Sequence, residues 1–158
     1  MSERSCCFIG HRKIENKLYL YEQIKLCVEN LITKSNITIF LFGSHSEFND
    51  LCLKVVSDLK DKYPYIKRVY IRAEYEYISD DYKNYLLTFY EETYYSEKAH
   101  NANKLVYVKR NEELIDSSNI CVFYYKNNVT RSGTTIAFEY AQKRKKKIIE
   151  IVWLLFDE

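Results

Sequence analysis

Four short stretches of this sequence carry side chains able to hold an anion or act on one. The first is Gly10-His11-Arg12. An arginine can grip a phosphate with two parallel N–H bonds, and a histidine ring can hydrogen-bond a base or a ribose. A solvated arginine beside a turn would read the same way. The second stretch, Gly43-Ser44-His45, follows a strongly β-prone run, and the third is Arg110-Asn111. The fourth is Arg131-Ser132-Gly133-Thr134-Thr135, which opens a helical stretch carrying Glu139. Hydroxyls, backbone amides and a helix N-terminus together form a phosphate cradle, although Ser132 also suits a plain helix cap. Facing a ribose, Glu139 could hydrogen-bond its hydroxyls or stabilise an oxocarbenium. Facing solvent, it is one carboxylate among many.

Other chemistries find little support. The three histidines have no HxxxH or HxH spacing, so no metal site is expected. No GxSxG elbow is present for a serine nucleophile. The run Lys143 to Lys147 reads as the cationic end of a helix. With 24 basic against 22 acidic residues the chain lacks a broad basic footprint. Neither a nucleic acid nor a membrane surface is therefore an expected partner, and no apolar stretch reaches the ~18 residues of a membrane span. The N-terminal apolar run is cut by Gly10, His11 and Arg12 and does not read as a signal peptide.

The elements that would position these residues alternate along the chain. Strands are expected at Ser5–Ile9, Ile37–Phe42, Arg68–Arg72, Leu105–Val108, Ile120–Tyr125 and Ile148–Leu155. Between them lie helical stripes: Leu20, Ile24, Cys27, Val28 and Leu31, then Phe48, Leu51, Cys52, Val55 and Leu59. The tyrosine-rich stretch from Asp80 to Tyr95 reads as a third helix, Arg110–Ser117 as a short fourth, and Thr134 to about Lys145 as the last. Strands apolar on both faces and alternating with helices imply one α/β domain over residues 1–158, a mostly parallel sheet of about six strands with helices on both faces. Ligands of such sheets bind outside the carboxyl ends of the strands. Gly10, Gly43 and Gly133 all fall in strand-to-helix connections, at that edge. Ordinary tight turns would place glycines there too.

Composition sharpens this. Among 158 residues there are only three glycines and one proline, which excludes collagen-like, linker and low-complexity classes. Hydrophobic residues make up 47%, enough for a real core. Five cysteines without a CxxC pair all sit in apolar segments, as buried free thiols do, and point to a reducing, cytoplasmic location. Sixteen tyrosines, many between Tyr75 and Tyr95, suit an interface, so a homodimer or higher homo-oligomer is expected.

The ordered segments CCFIGHRK, FGSHSEFNDLC, KYPYIKRVYIRA, YVKRNEELIDSSN and SGTTIAFEYAQKRKKKIIEI together resemble the SLOG superfamily of Smf/DprA- and LOG-like Rossmannoid proteins. Within it they resemble the YpsA-like proteins. The resemblance runs from about residue 5 to residue 151 and implies a Rossmann-like three-layer fold holding a nucleotide-derived ligand. It places the family's GHR element on Gly10, His11 and Arg12, its turn after strand two on Gly43 to Asp50, its RN element on Arg110 and Asn111, and its GT element on Gly133 and Thr134. LOG-type phosphoribohydrolases carry GGxGTxxE, whereas here the glycine pair is missing and Glu139 stands five residues after Thr134. At ~100° per residue, two extra positions turn a carboxylate roughly 200° around the helix.

The function expected is therefore non-catalytic binding of an ADP-ribose or cyclic nucleotide type of molecule, by a sensor or sequestering protein without a further cofactor. Gly10, Arg12, Gly43, Ser132, Gly133 and Thr134 would hold phosphate, with His11, His45 or a nearby tyrosine at base and ribose. The alternative is a LOG-like N-glycosidase acting on a nucleoside monophosphate, with Arg110 orienting the substrate and Glu139 stabilising ribosyl charge. A DprA-like single-stranded DNA binder is the third and least supported reading.

Overall fold

The protein is described by a computed structural model over residues 3–124 and 132–151. The chain runs β1 (Arg4–Gly10), α1 (Lys17–Lys34), β2 (Ile37–Phe42), α2 (Glu47–Leu59), β3 (Lys67–Arg72), α3 (Asp80–Leu86), β4 (Glu92–Tyr95), α4 (Val106–Asp116), β5 (Ile120–Tyr124), α5 (Gly133–Lys143) and β6 (Lys147–Glu150). All six strands are parallel, in the order β4-β3-β2-β1-β5-β6. The chain steps outward from β1 to β4, then returns to the other side of β1 for β5 and β6. The reversal puts a topological switch point between β1 and β5.

Side chains of the central strands divide by the period-two alternation of a strand. Cys6, Phe8, Phe40, Phe42, Val122 and Tyr124 enter one core, and Cys7, Ile9, Leu41, Cys121 and Phe123 enter the other. The first core is closed by α1 and α2. Leu20, Ile24, Val28, Leu31 and Ile32 form one buried stripe on α1, and Phe48, Cys52, Val55, Val56 and Leu59 form its counterpart on α2. The second core is closed by Leu114 and Ile115 of α4 with Ala137 and Ala141 of α5. All five cysteines are free thiols, and all but the half-buried Cys27 are buried.

Two sequence expectations are corrected in the middle of the chain. Leu105–Val108 is not a strand: a 3-10 turn ends at Leu105, and α4 starts at Val106. A run of four apolar residues fits either state, and here Val106, Arg110 and Leu114 continue it at helical spacing. The fourth strand lies instead inside the stretch read as a helix. That helix stops at Leu86, and Glu92–Tyr95 pairs with Val69–Arg72. Threonine and tyrosine favour a pleated surface, and the Thr93 hydroxyl donates to the Tyr70 carbonyl at 2.9 Å. Only Leu86 of α3 is buried, which leaves Tyr75, Tyr77 and Tyr85 exposed beside it. Tyr125 and residues 152–155, expected in the last two strands, lie outside the described residues.

None of the glycines has a positive φ. The left-handed positions belong to Asn16, Asn36, Asn101, Asn103 and Lys145. Asparagine tolerates that region better than other side chains because its short amide bonds locally, which is how the chain turns with so few glycines.

The basic run is tied down at the amino edge of the sheet. Arg144 Nε donates to Asp116 at 3.0 Å, the Tyr140 hydroxyl donates to it at 2.7 Å, and Lys146 Nζ reaches the Ser118 carbonyl at 3.0 Å. Burial pushes the Asp116 carboxyl up, but hydrogen bonds from Lys98 and Tyr140 and the charges of Lys98 and Arg144 outweigh it and hold it below its ordinary value. A carboxylate depressed in the folded state adds stability above its unfolded pKa and loses it as pH falls through the folded one. Asp116→Asn is therefore expected to lower the urea midpoint at pH 7 and to narrow its gap from wild type as the pH drops below ~4. Urea titrations across pH 2.5–7 would read this, and a gap that stays constant would count against it.

Candidate functional site

At the carboxyl ends of β1, β2 and β5 the sheet opens into a cavity of about 730 Å³. The sequence of the first loop explains one wall. Gly10 pairs with Tyr124 across the β1–β5 boundary, and the His11 amide donates to the Tyr124 carbonyl at 3.3 Å. The loop then folds onto α2: the Glu47 amide donates to the Arg12 carbonyl at 2.8 Å, and the Ile14 amide to Glu47 Oε1 at 2.9 Å. The Arg12 side chain remains exposed at the mouth.

The second loop is held by a residue the sequence reading passed over. Asn49 is 2% exposed. Its Oδ1 accepts from the amides of Gly43 and Ser44, both at 3.2 Å, and its Nδ2 donates to the Phe8 carbonyl at 2.8 Å. Ser46 caps α2 by accepting from the Asn49 amide at 3.0 Å. Asn49 stands three residues before Cys52 and seven before Val56, on the apolar stripe of the helix. A polar side chain in an apolar stripe is the signal that could have found it. Beyond this loop, His45 Nε2 and the Tyr70 hydroxyl are 3.0 Å apart. Burial pushes the Tyr70 phenol up to about 12, so it stays protonated at neutral pH.

Arg110 forms the floor. It is 5% exposed, and one terminal nitrogen donates to the Gly43 carbonyl while Nε donates to Asn111 Oδ1 at 3.1 Å. The guanidinium lies 5.7 Å from the centre of the Tyr107 ring. Burial lowers its pKa, opposed by the negative forms of Tyr70, Tyr107 and Glu74. Among the described residues it has no ion-pair partner, and the one carboxylate lining the cavity is the exposed Glu74. The opposite wall is the start of α5. Ser132 caps this helix in a reciprocal pair with Thr135, both bonds 3.3 Å, and Thr134 behind it is buried. Ser132, Gly133 and Thr134 thus bring the N-terminal end of α5 to the cavity.

This cavity brings together Gly10, His11, Arg12, Gly43, Ser44, His45, Arg110, Asn111, Ser132, Gly133 and Thr134. It leaves out Glu139, which borders a smaller cavity between α4 and α5. Arg131 lies outside the described residues. Tyr70, Glu74 and Tyr107 also line the main cavity; the sequence leads one to expect a tyrosine near the ligand but does not say which. Among the described residues no group of three or more His, Cys, Asp or Glu side chains is placed to hold a metal ion.

The glycines matter here for lack of a side chain. A Cβ on Gly43 would stand 2.6 Å from Arg110 Cδ and 2.9 Å from Leu114 Cδ1, and one on Gly10 would stand 2.3 Å from Phe48 Cδ2. At Gly133 no described atom beyond its chain neighbours and its own helix backbone lies within 4 Å. Gly10→Ala is expected to cost about 1–3 kcal/mol by overpacking the Phe48 ring. Gly133→Ala should be neutral or stabilise by up to about 1 kcal/mol. Urea denaturation of the two variants checks the contrast, and equal midpoints would contradict it.

The fold and the switch-point cavity define a Rossmann-like, doubly wound α/β protein with a small-molecule-sized site. No family model matches the sequence, and no curated protein is significantly similar to it. Among solved structures, the Moco Carrier Protein of Chlamydomonas rheinhardtii is similar in fold, with a TM-score of 0.53 and 16% identity over 96% of this chain and 77% of that one. A truncated 3-deoxy-D-arabino-heptulosonate 7-phosphate synthase from Thermotoga maritima matches at a TM-score of 0.32 and 13% identity, over 93% of this chain and 50% of that one.

Proposed function

We propose that this protein binds a phosphate-bearing, nucleotide-derived small molecule of the ADP-ribose or cyclic nucleotide type, and senses or sequesters it without turning it over. The observation that carries the reading is Arg110, a guanidinium buried at the floor of an open cavity with no carboxylate paired to it among the described residues. A buried charge is costly unless paired, and an anionic ligand supplies the pair. The start of α5 offers the same anion a second set of donors. His45, Tyr70 and Tyr107 along the cavity suit a base or ribose. The order of motifs that resembles the SLOG superfamily and its YpsA-like members fits this reading. So does the likeness in fold to a protein named as a carrier. An N-glycosidase would need Glu139 at the ribosyl group, and its place at the smaller cavity favours binding over turnover. The protein is read as cytoplasmic and as a homo-oligomer that uses the exposed tyrosines around α3.

Native mass spectrometry of the purified protein, followed by denaturation and identification of what is released, tests the proposal. The expected result is one intact phosphate-bearing molecule per chain, and the same spectrum reports the number of subunits. Release of a free base from added nucleotide, or no thermal shift across a nucleotide panel, would overturn it.

A further inference from the structure

The smaller cavity holds about 200 Å³ and lies between α4 and α5. Val108, Ile136, Ala137 and Tyr140 give it a mostly apolar surface, and Glu112, Glu139 and Lys143 also border it. The Tyr140 hydroxyl is engaged elsewhere, donating to Asp116 at 2.7 Å and accepting from Lys98 at 3.3 Å, so the ring carbons are what the tyrosine offers the cavity. Asn111 and Gly133 border both this cavity and the main one. Gly133 has no positive φ, and apart from its chain neighbours and its own helix backbone no described atom stands within 4 Å of the place its Cβ would take. Among the described residues, neither the backbone nor the packing calls for glycine there. Gly133 is exposed, and a side chain on it would stand where the two cavities share a border.

We propose that the small cavity is an apolar subsite for the same ligand, and that Gly133 keeps the way into it open. The inference rests on the anion-binding reading above. The ligand class it names is a phosphate ester carrying, at its phosphate end, an apolar substituent about the size of one aromatic ring or a short alkyl chain. The size follows from the volume, since ~150 Å³ is room enough for a benzene. The phosphate end follows from position: Gly133 is the first residue of α5, beside the Ser132 cap.

Calorimetric titration with inorganic phosphate, phenyl phosphate and the n-alkyl phosphates from methyl to octyl is the test. Affinity in the wild type is expected to rise roughly fourfold per methylene and to level off near hexyl. Phenyl phosphate should bind well above inorganic phosphate. Val108→Phe fills the small cavity from α4 and is expected to flatten the chain-length series while leaving inorganic phosphate bound as before. Gly133→Val closes the passage and is expected to flatten it too, and circular dichroism verifies that both variants fold. A flat series in wild type that still binds phosphate would overturn the subsite and leave the anion site standing. A series that rises unchanged in both variants would place the chain elsewhere and overturn it as well. No binding of any phosphate would remove the anion site and the subsite together.

Discussion

Arg110→Met is expected to abolish ligand binding while leaving the fold as stable as before or more so. Truncating one member of a buried, hydrogen-bonded charge pair costs about 2–5 kcal/mol of binding, a loss of roughly 30-fold to several thousand-fold. Stability should move little, and for a physical reason. In the ligand-free protein the guanidinium is desolvated, with only the exposed Glu74 among the described carboxylates acting against that cost, and replacing buried charge with an apolar chain of similar volume is often neutral or stabilising. The Gly43 carbonyl, left buried without this donor, works the other way by about 1–3 kcal/mol. Arg110→Lys keeps the charge but not the planar fork, and should fall between the two. Calorimetry for the ligand beside urea denaturation for the fold separates these effects. A variant that binds normally but loses several kcal/mol of stability would make Arg110 a strut rather than an anion site.

Asn49→Ala should show the reverse pattern, with the stability loss first. The substitution leaves the amides of Gly43 and Ser44 and the carbonyl of Phe8 without their partner. Each buried polar group left unsatisfied costs about 1–3 kcal/mol. Ser44 is only partly buried, so water recovers some of that, and the sum expected is about 3 kcal/mol. Asn49→Asp is a sharper probe. The carboxylate still accepts from both amides, but it has no proton to offer the Phe8 carbonyl and brings a charge into the core. It should be at least as destabilising at pH 7 and partly relieved in acid, where the protonated carboxyl can donate. Equilibrium denaturation at pH 7 and pH 4 reads both variants. Wild-type stability in either would remove Asn49 from the machinery that shapes the second loop.

These two residues also explain which parts of the molecule are legible in its sequence. The first three strands and the two helices between them can be read directly, because the strands are short apolar runs and the helices repeat their apolar positions at about 3.6 residues. The loops at Gly10, Gly43 and Ser132 can be placed at one sheet edge because each follows a strand. The stretch from 80 to 108 cannot be read so easily. Arg110 occupies a core-facing position of α4 where an apolar residue would have revealed the stripe, so Leu105 to Val108 looks like an isolated apolar run. Asn49 interrupts α2 in the same way, though enough apolar neighbours remain for that helix to be recognised. In both helices the residue that serves the cavity is the one that breaks the pattern, and its burial follows from tertiary contacts that no local pattern encodes. Glu139 is the converse case: its position on α5 is legible, but which cavity it borders depends on how α4 packs beside it.

The bond from Arg110 to the Gly43 carbonyl joins residues 67 apart in the chain. It is a direct tie between the half of the sheet laid down before the switch point and the half laid down after it. A molecule seated on Gly10, Gly43, Arg110 and Thr134 would bridge the same divide and act as a reversible staple across it. Ligand at a hundred times its Kd adds about 2.7 kcal/mol to a fold that alone can bind it. That energy would fall on the seam between the halves. Amide hydrogen exchange should accordingly slow first in the early turns of α5 and in the loop after β2, and last in α1 and β4, which lie away from it.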